Sequence, residues 1–418
     1  MTVVGVDDTD SREHGMCTTY VGAQIASRLD GVTRRLLVRL NPAVAHKTRG
    51  NAAVAIHTDA PAETAAAVAR ETIEELAVTA DERTNPGLVV ADGDPEAVPD
   101  EVATFCLDAI RDHHTIADAE ALVDRAGYRS WGAGNGRGRI GALAAVGAWR
   151  ALSAWTCEWI AYREADRVGT DREVDRDSVF RAAEAAYPAV WDTVDRGADE
   201  VVCVPRTPGP VLYGIRGDDA DAVRRVAEAI ESEPVAEAHT FLTNQGTDVH
   251  LREGRLGDVR DGRAYRLDGV VATDPETRRG GHVFVTIEDA DESLPCVAFE
   301  PTKRFRDHVR ALRPGDRLTV CGEVSQGTCK LEKFAVRALV REKRVTPTCP
   351  DCERTMESAG RDAGYRCRAC RTTAAGKALV PVERDLEEGW YEVPPRARRH
   401  ISKPLVRGGF DAPTHPEW

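Results

Sequence analysis

The sequence predicts an α+β protein of several domains, and three observations lead to that fold class. Its 418 residues exceed what one hydrophobic core usually serves, and about 150 residues per domain suggests about three units. Strand and helix periodicities alternate over the first half, whereas strands dominate from residue 264 to 339. Four cysteines in two CxxC pairs then follow near the C-terminus. Together these patterns predict separately folded units along the chain.

The N-terminal stretch carries the order of a split βαβ unit. The expected elements are a strand at residues 3–7, a helix at 16–29, strands at 35–40 and 51–59, a helix at 62–80 and a strand at 88–91. This order is typical of a ferredoxin-like arrangement.

Residues 101–260 are expected to add helices and a second compact unit. Helical periodicity covers residues 101–126, a glycine-rich passage follows at 131–141, and the apolar segment 142–161 predicts a buried helix. From residue 201 the order strand, turn, strand, helix and strand predicts another α+β unit.

The strand-rich region predicts a small barrel. Turn signals such as Pro314-Gly315 separate five short strands, and one helical interruption at residues 303–312 precedes the fourth strand. This order is typical of an OB-type barrel.

Cys349, Cys352, Cys367 and Cys370 form two CxxC pairs separated by fourteen residues. Such pairs place four thiolates on two tight turns that can close tetrahedrally on zinc, so we expect a zinc ribbon rather than free or disulfide-bonded cysteines. Four protein ligands leave the metal no open position, which indicates a structural role. The other seven cysteines show no paired framework, which favours a reducing cytosol.

The chain is acidic, with a formal net charge of -13, although nucleic-acid binding normally requires a basic surface. Its 56 basic residues include only seven lysines, leaving 56 − 7 = 49 arginines. This composition is typical of adaptation to concentrated salt, where a Debye length of about 3 Å weakens repulsion between an acidic surface and RNA. No apolar run approaches the roughly 20 residues that span a bilayer, so a cytoplasmic location is expected.

An acidic loop follows the first strand, in the string VVGVDDTDS. Asp7, Asp8 and Asp10 offer hard oxygen ligands at a strand end, which suits magnesium carrying a nucleotide's phosphates. The alternative is an exposed acidic turn that caps the following helix.

Two further loops complement this acidic one. The first contains Lys47, Arg49, Gly50 and Asn51, where the two cations can bind phosphate. The second, GAGNGRGR at residues 132–139, opens an apolar helix, and its glycines let backbone amides approach an anion at the helix N-terminus. A glycine loop alone is weak evidence, but the three loops together indicate phosphate chemistry.

Two further features remain open between a functional and a plain structural interpretation. The string PRTPGPVLYG at residues 205–214 is either a ligand-lining loop or an ordinary turn. The basic run Arg396, Arg398, Arg399 and Lys403 is either a phosphate contact or a solvated tail.

These motifs together resemble those of the archaeal tRNA-isoleucine agmatinylcytidine synthetase family. The resemblance covers essentially the whole chain, in order, through the strings VGVDDTDSxxxGMCTTY, RLNPxxxxKTRGNAA, GNGRGRIGALAA, VLYGIRG, TNQGTDVHL, the CxxC pairs and PPRARRHISKPL. It implies that ATP drives replacement of the carbon-2 oxygen of the wobble cytidine in a CAU anticodon by agmatine. A phosphorylated carbonyl oxygen is a better leaving group, so phosphorylation of that oxygen would precede attack by the amine.

The family architecture implies an ATP-dependent kinase-like domain at residues 1–198, a ferredoxin-like domain at 199–260, an OB-fold at 261–344, a zinc ribbon at 345–376 and a C-terminal tail at 377–418. Expected partners are tRNA and agmatine, and expected cofactors are ATP, magnesium and zinc. The expected site residues are Asp7, Asp8, Asp10 and the phosphorylated Thr18 in catalysis; Lys47, Arg49, Gly50, Asn51, Gly134, Asn135, Gly136 and Arg137 for ATP; Thr207, Pro208, Tyr213 and Gly214 for agmatine; and Arg396, Arg398, Arg399 and Lys403 for RNA.

Two other functions fit parts of the sequence. An OB barrel with a zinc ribbon suits a non-enzymatic nucleic-acid-binding factor, although that function leaves the N-terminal motifs unused. A small-molecule kinase would use those motifs and employ the C-terminal modules only for assembly.

Overall fold

A computed structural model describes residues 1–47, 50–361 and 363–418. Its first unit consists of β1 (Thr2–Asp7), α1 (Thr18–Ser27), β2 (Val32–Arg39), β3 (Ala52–Thr58), α2 (Ala62–Leu76) and β4 (Gly87–Asp92). The strands lie in the order β4-β1-β3-β2 and all neighbours are antiparallel. This is the ferredoxin-like topology that the sequence order predicts.

The next elements cover one face of that sheet and extend its edge. They are α3 (Asp100–Arg111), α4 (Ile116–Ala126), β5 (Arg129–Gly132) and α5 (Gly138–Ala151). Helix α5 crosses β1 so closely that a Cβ on Gly5 would lie 2.0 Å from the Ala142 carbonyl oxygen. The predicted helix at residues 142–161 is wrong in its second half, because a strand begins at residue 156.

That strand opens a second unit with the same topology. It consists of β6 (Thr156–Arg163), α6 (Arg176–Ala186), β7 (Val190–Trp191), β8 (Val194–Asp195), β9 (Glu200–Val201), β10 (Val211–Gly217), α7 (Ala220–Glu228) and β11 (Val235–Thr243). Parallel pairing of β2 with β11, at Leu36 with Leu242, joins both units edge to edge. Within the described residues they form one nine-stranded sheet, β5-β4-β1-β3-β2-β11-β6-β10-β7. The sheet therefore continues across the boundary expected at residue 198, which falls between the paired strands β8 and β9.

The OB-fold follows as a closed barrel. Its elements are β12 (Leu251–Glu253), β13 (Arg263–Val271), β14 (Glu276–Thr277), β15 (Val283–Asp289), β16 (Glu292–Ala298), α8 (Phe305–Arg310), β17 (Arg317–Ser325) and β18 (Thr328–Ala338). The barrel closes through the pairings β13-β15-β16-β18-β17-β13. Helix α8 precedes the fourth barrel strand, which confirms the predicted helical interruption.

The C-terminal strands are β19 (Glu342–Val345), β20 (Glu357–Ser358), β21 (Tyr365–Arg366), β22 (Thr373–Ala374), β23 (Ala378–Pro381), β24 (Gly389–Glu392) and β25 (Thr414–His415). Residues 377–418 are not a loose tail, because β24 pairs with β18 of the barrel and buries Trp390. Short 3₁₀ helices occur at Pro95–Ala97, Ala165–Arg167, Leu256–Asp258, Glu300–Thr302, Pro395–Ala397 and Leu405–Arg407. In the part of the chain that the structure describes, none of the helices has the length and apolar character needed to span a bilayer.

Candidate active site

The acidic loop begins where β1 meets the N-terminus of α5. The partly buried Asp7 carboxylate occupies space that a side chain at Gly141 would fill, since a Cβ there would lie 2.0 Å from Asp7 Oδ2. Asp8 turns the chain at φ 58° and its carboxylate accepts a hydrogen bond from Arg137 at 2.9 Å. Burial, together with the charge of Asp8, raises the pKa of Asp7 well above its usual range. A cation at this loop would relieve the crowding of negative charge.

This loop forms one end of a cleft of about 320 Å³. The cleft brings together most residues that the sequence assigns to nucleotide chemistry, whereas Arg49 lies outside the described residues. The lining consists of Asp7, Asp8, Asp10, Leu40, Ala43, Val44, Ala45, His46, Lys47, Gly50, Asn51, Ala52, Ala109, Asp112, His113, His114, Arg137, Ile140 and Gly141. A lining of carboxylates together with apolar and imidazole groups suits a nucleotide with its metal.

Three predicted nucleotide contacts in the glycine loop, Gly134, Asn135 and Gly136, are absent from the lining of this cleft. Instead they form a turn fixed by Asn85, whose side-chain oxygen accepts the Asn135 N–H at 2.9 Å. The Asn135 side chain in turn accepts the Arg137 N–H at 2.9 Å. The turn therefore positions Arg137 beside Asp8.

A second pocket, of about 270 Å³, adjoins the first. It is lined by three of the four predicted agmatine contacts, Thr207, Pro208 and Gly214, and by Thr18. Asp10, Gly50 and Ala52 line both spaces. A group bound in one is therefore next to a group bound in the other.

The fourth predicted agmatine contact, Tyr213, is corrected to a core residue. Its ring is buried, and its hydroxyl donates a hydrogen bond to the Ala227 carbonyl oxygen at 3.2 Å. Strand alternation explains the difference, because Gly214 faces the pocket and its neighbour must face the opposite side of the sheet.

A buried carboxylate lines the second pocket, and it was not found from the sequence. Glu158 in β6 contacts Arg39 at 2.8 Å and Arg216 at 3.2 Å. Burial opposes its ionisation, yet these two guanidinium groups lower the pKa of Glu158 to about 2. The available signal is an acid inside the mostly apolar string of β6, TCEWIAYR.

Thr18 is the first residue of α1, and its hydroxyl oxygen accepts a hydrogen bond from Thr9 Oγ1 at 3.1 Å. The N-cap position belongs to Cys17, and no side-chain cap hydrogen bond is made there. Capping of the helix N-terminus is therefore not what the Thr18 hydroxyl does in this structure.

The four cysteine sulfurs of the ribbon converge, with all Sγ atoms within 4.8 Å of one another. Zinc–sulfur bonds of about 2.3 Å in a tetrahedron place sulfurs about 3.8 Å apart, which this cluster can satisfy. The Cys370 N–H, donated to the Cys367 sulfur, lowers the pKa of the Cys367 thiol to about 7. The residues present thus fit zinc.

The basic run near the C-terminus is largely engaged inside the protein. Arg398 is 2% exposed and forms ion pairs with Asp192 and Glu392, so it is corrected from an RNA contact to a structural residue. Arg399 contacts Glu323 at 2.6 Å and is partly exposed. Arg396, contacting Glu200 at 2.6 Å, is 25% exposed, and Lys403 is also partly exposed.

We expect Arg398→Met to lower the free energy of unfolding by about 3–5 kcal/mol, because it leaves two buried carboxylates without their cation. Arg396→Met, in the same segment, removes an ion pair in contact with solvent and should cost about 1 kcal/mol or less. Denaturant unfolding of both variants measures the difference. Equal losses would contradict the structural role of Arg398.

Four family models match this chain. They are the TiaS TCKD domain at residues 3–60, the TiaS FLD domain at 136–250, an OB-fold nucleic acid binding domain at 260–334 and the TiaS C-terminal zinc ribbon domain at 346–386. Their order agrees with the sheet, barrel and ribbon described above.

Full-length relatives and solved structures agree with these models. The isoleucine tRNA agmatinylcytidine synthetase of Haloquadratum walsbyi, TiaS, is 54% identical over 100% of both chains, and that of Methanosarcina mazei is 45% identical over 97% of both. The crystal structure of a TiaS complex with isoleucine tRNA and ATP matches with 43% identity and a TM-score of 0.88, covering 99% of both chains. That of a TiaS complex with isoleucine tRNA, AMPCPP and agmatine matches with 40% identity and a TM-score of 0.86, covering 99% of this chain and 98% of that one. The chain therefore belongs to the family of isoleucine tRNA agmatinylcytidine synthetases.

Proposed function

We infer that this protein uses ATP to join agmatine to carbon 2 of the wobble cytidine in a CAU-anticodon isoleucine tRNA. The observation that carries this function is that two pockets meet at Asp10. The first is lined by carboxylates, Lys47 and Arg137, and the second is lined by the 205–211 loop. An amine in the second pocket lies beside a phosphorylated group in the first. Neither a plain binding factor nor a small-molecule kinase requires that arrangement.

The chemistry has two bond exchanges. The cytidine carbon-2 oxygen attacks a phosphorus of ATP, forming a P–O bond and breaking the bond from that phosphorus to its bridging oxygen. The agmatine amine then adds to carbon 2, the C–O bond breaks, and the oxygen leaves with the phosphate while the nitrogen loses a proton. Positioning and charge stabilisation account for most of the catalysis of phosphoryl transfer.

The first pocket is assigned to ATP. Asp7, Asp8 and Asp10 would hold magnesium, which supplies charge neutralisation at the phosphates when bound. Lys47 and Arg137 line the same cleft and contribute positive charge to it. Gly50 and Asn51 also line the cleft, and the Asn51 side chain fixes the loop by donating to the Asn41 carbonyl oxygen at 2.9 Å.

The second pocket is assigned to agmatine. Apolar side chains of Met16, Ile160 and Val211 can cover its butylene chain, and Asp10 offers a negative charge to its amine end. Thr207, Pro208 and Gly214 complete the wall as predicted. The OB barrel and the zinc ribbon are assigned to tRNA, with Arg396, Arg399 and Lys403 as candidate phosphate contacts. A cytoplasmic location is part of the proposal, supported by cysteines that are free of disulfides throughout the described residues.

Labelled ATP distinguishes the three functions. Incubation with and without tRNA and agmatine should give complete turnover only when both are present, and the tRNA should then carry agmatine. A binding factor would leave ATP intact, and a small-molecule kinase would turn ATP over without tRNA. Either result contradicts the proposal.

Zinc should be held at one ion per chain, and Cys352→Ser should release it. Because the ribbon has few buried residues besides the cysteines, we expect it to unfold without metal, weakening tRNA binding by tenfold or more, about 1.4 kcal/mol. ATP binding should change little, since its pocket contains no ribbon residue. Metal analysis and separate titrations with tRNA and ATP check this, and zinc-free protein with full tRNA affinity would overturn it. Cys106→Ser, at a buried cysteine outside the ribbon, is the control for loss of a thiol.

A further inference from the structure

One guanidinium group organises the wall of the second pocket. Arg172 donates four hydrogen bonds to carbonyl oxygens of the 205–211 loop. Its Nε reaches Val211 and its Nη1 reaches Pro205, both at 2.8 Å. Its Nη2 reaches Thr207 at 2.9 Å and Gly209 at 3.4 Å. Alternate residues of the loop therefore converge on a single side chain.

The composition of the loop explains why it needs an outside donor. Pro205, Pro208 and Pro210 lack N–H groups, so the loop has few donors with which to satisfy its own carbonyl oxygens. Arginine presents five N–H donors in a fixed planar fork, which suits several acceptors at once. Lysine offers a compact charge and cannot span the same acceptors.

A buried ion pair fixes the backbone on either side of Arg172. The Arg163 and Glu233 side chains are 1% and 0% exposed and lie 2.6 Å apart. Arg163 donates to the carbonyl oxygens of Thr170 and Asp171 at 2.8 and 2.9 Å, and Glu233 accepts the N–H of residue 173 at 2.9 Å. The backbone is thus fixed on both sides of Arg172.

The opposite side of the 205–211 loop meets the segment that joins the acidic loop to α1. A Cβ on Gly15 would lie 3.2 Å from the Gly209 backbone, and Gly209 itself has φ 142°. A displacement of the 205–211 loop therefore changes the space between it and the segment carrying Asp10 and Thr18. That space is the second pocket.

We propose that Arg172 is a positioning residue for the amine substrate, holding the 205–211 loop in the conformation that admits it. The inference rests on the assignment of agmatine to this pocket. Arg172 acts through the loop and needs no contact with the reacting atoms. Its loss should therefore weaken use of agmatine and leave ATP binding as it is.

The test is a steady-state comparison of Arg172→Ala, Arg172→Lys and the wild type. Because several charge-assisted hydrogen bonds are lost, we expect the KM for agmatine to rise about ten- to hundredfold, with kcat at saturating agmatine and the KM for ATP within about threefold. Arg172→Lys should resemble Arg172→Ala. Arg167→Ala is the matched control, because Arg167 lies in the same segment but contacts Glu164 and Glu173 instead of the loop. Its kinetic constants should stay within about twofold of the wild type.

Guanidinium ion separates positioning from general loss of structure. Added guanidinium should lower the KM for agmatine in Arg172→Ala by filling the vacated site, and should not do so in Arg172→Lys. An unchanged KM for agmatine in Arg172→Ala, an equal loss for ATP and agmatine, or failure of this rescue would overturn the inference. A wild-type protein that transfers no agmatine contradicts the proposed function instead, so the two failures are distinguishable.

Discussion

Asp8→Asn should abolish ATP turnover while leaving the protein folded. The carboxylate lies in the cleft beside Arg137, and the amide keeps its shape but removes the negative charge that we propose helps to hold magnesium. Loss of such a ligand in phosphoryl transfer costs about 4 kcal/mol, or about a thousandfold in rate. Burial raises the pKa of Asp8, which means that ionisation of this carboxyl group does not stabilise the folded state. A neutral side chain should therefore change the melting temperature little.

The control is Asp92→Asn on the same sheet. Asp92 is the last residue of β4 and pairs with Thr2 of β1, at the end of these strands that lies away from the acidic loop. Its side chain is exposed. The same chemical change there should leave turnover unaltered. ATP hydrolysis and agmatine transfer are measured for both variants, with melting curves to confirm folding. Normal turnover in Asp8→Asn would remove Asp8 from the catalytic site.

Local patterns were sufficient for the first unit, the barrel and the ribbon. Each has a strand order, turn residues or cysteine spacing that can be recognised within a short window. Strand β6 was missed because an apolar run gives the same signal as a buried helix, and α5 and β6 follow one another with only four residues between them. The β2–β11 pairing joins residues about two hundred positions apart, and no local pattern specifies it.

The residues of the candidate site also fall into those that a local pattern predicts and those that depend on distant contacts. Asp7, Asp8 and Asp10 follow one strand, and their chemistry and spacing predict the shared cleft that the structure shows. Glu158 and Arg172 come from segments with no recognisable motif, and their roles depend on contacts across the fold.

The charge of a single residue did not predict whether that residue is buried or exposed. Arg398 belongs to an acid-free run, yet its partners Asp192 and Glu392 reach it from other segments of the chain. An acidic chain rich in arginine can bury such pairs, and counting charges along the sequence does not separate buried from exposed ones.

Thr18→Ala should stop phosphate incorporation into the protein and reduce agmatine transfer, while lowering stability only slightly. We propose that the Thr18 oxygen takes the γ-phosphoryl group of ATP, while ADP leaves and the hydroxyl proton is lost. The product carries roughly two negative charges at pH 7. Arg39 and Arg216 line the same pocket and can offset part of that charge, since together they exceed the single charge of their partner Glu158. Removal of the hydroxyl also breaks the hydrogen bond from Thr9, which contributes about 1 kcal/mol.

Thr9→Val separates the two consequences of that change. It removes the same hydrogen bond between two buried hydroxyls but leaves Thr18 able to accept a phosphoryl group. We therefore expect similar melting temperatures for the two variants, with phosphate incorporation and agmatine transfer retained only in Thr9→Val. Thr19→Ala tests the neighbouring hydroxyl, which is equally buried and contacts the Cys17 sulfur at 3.0 Å. If Thr18→Ala still incorporates phosphate and transfers agmatine normally, its hydroxyl serves only the Thr9 contact and the phosphorylation step is wrong.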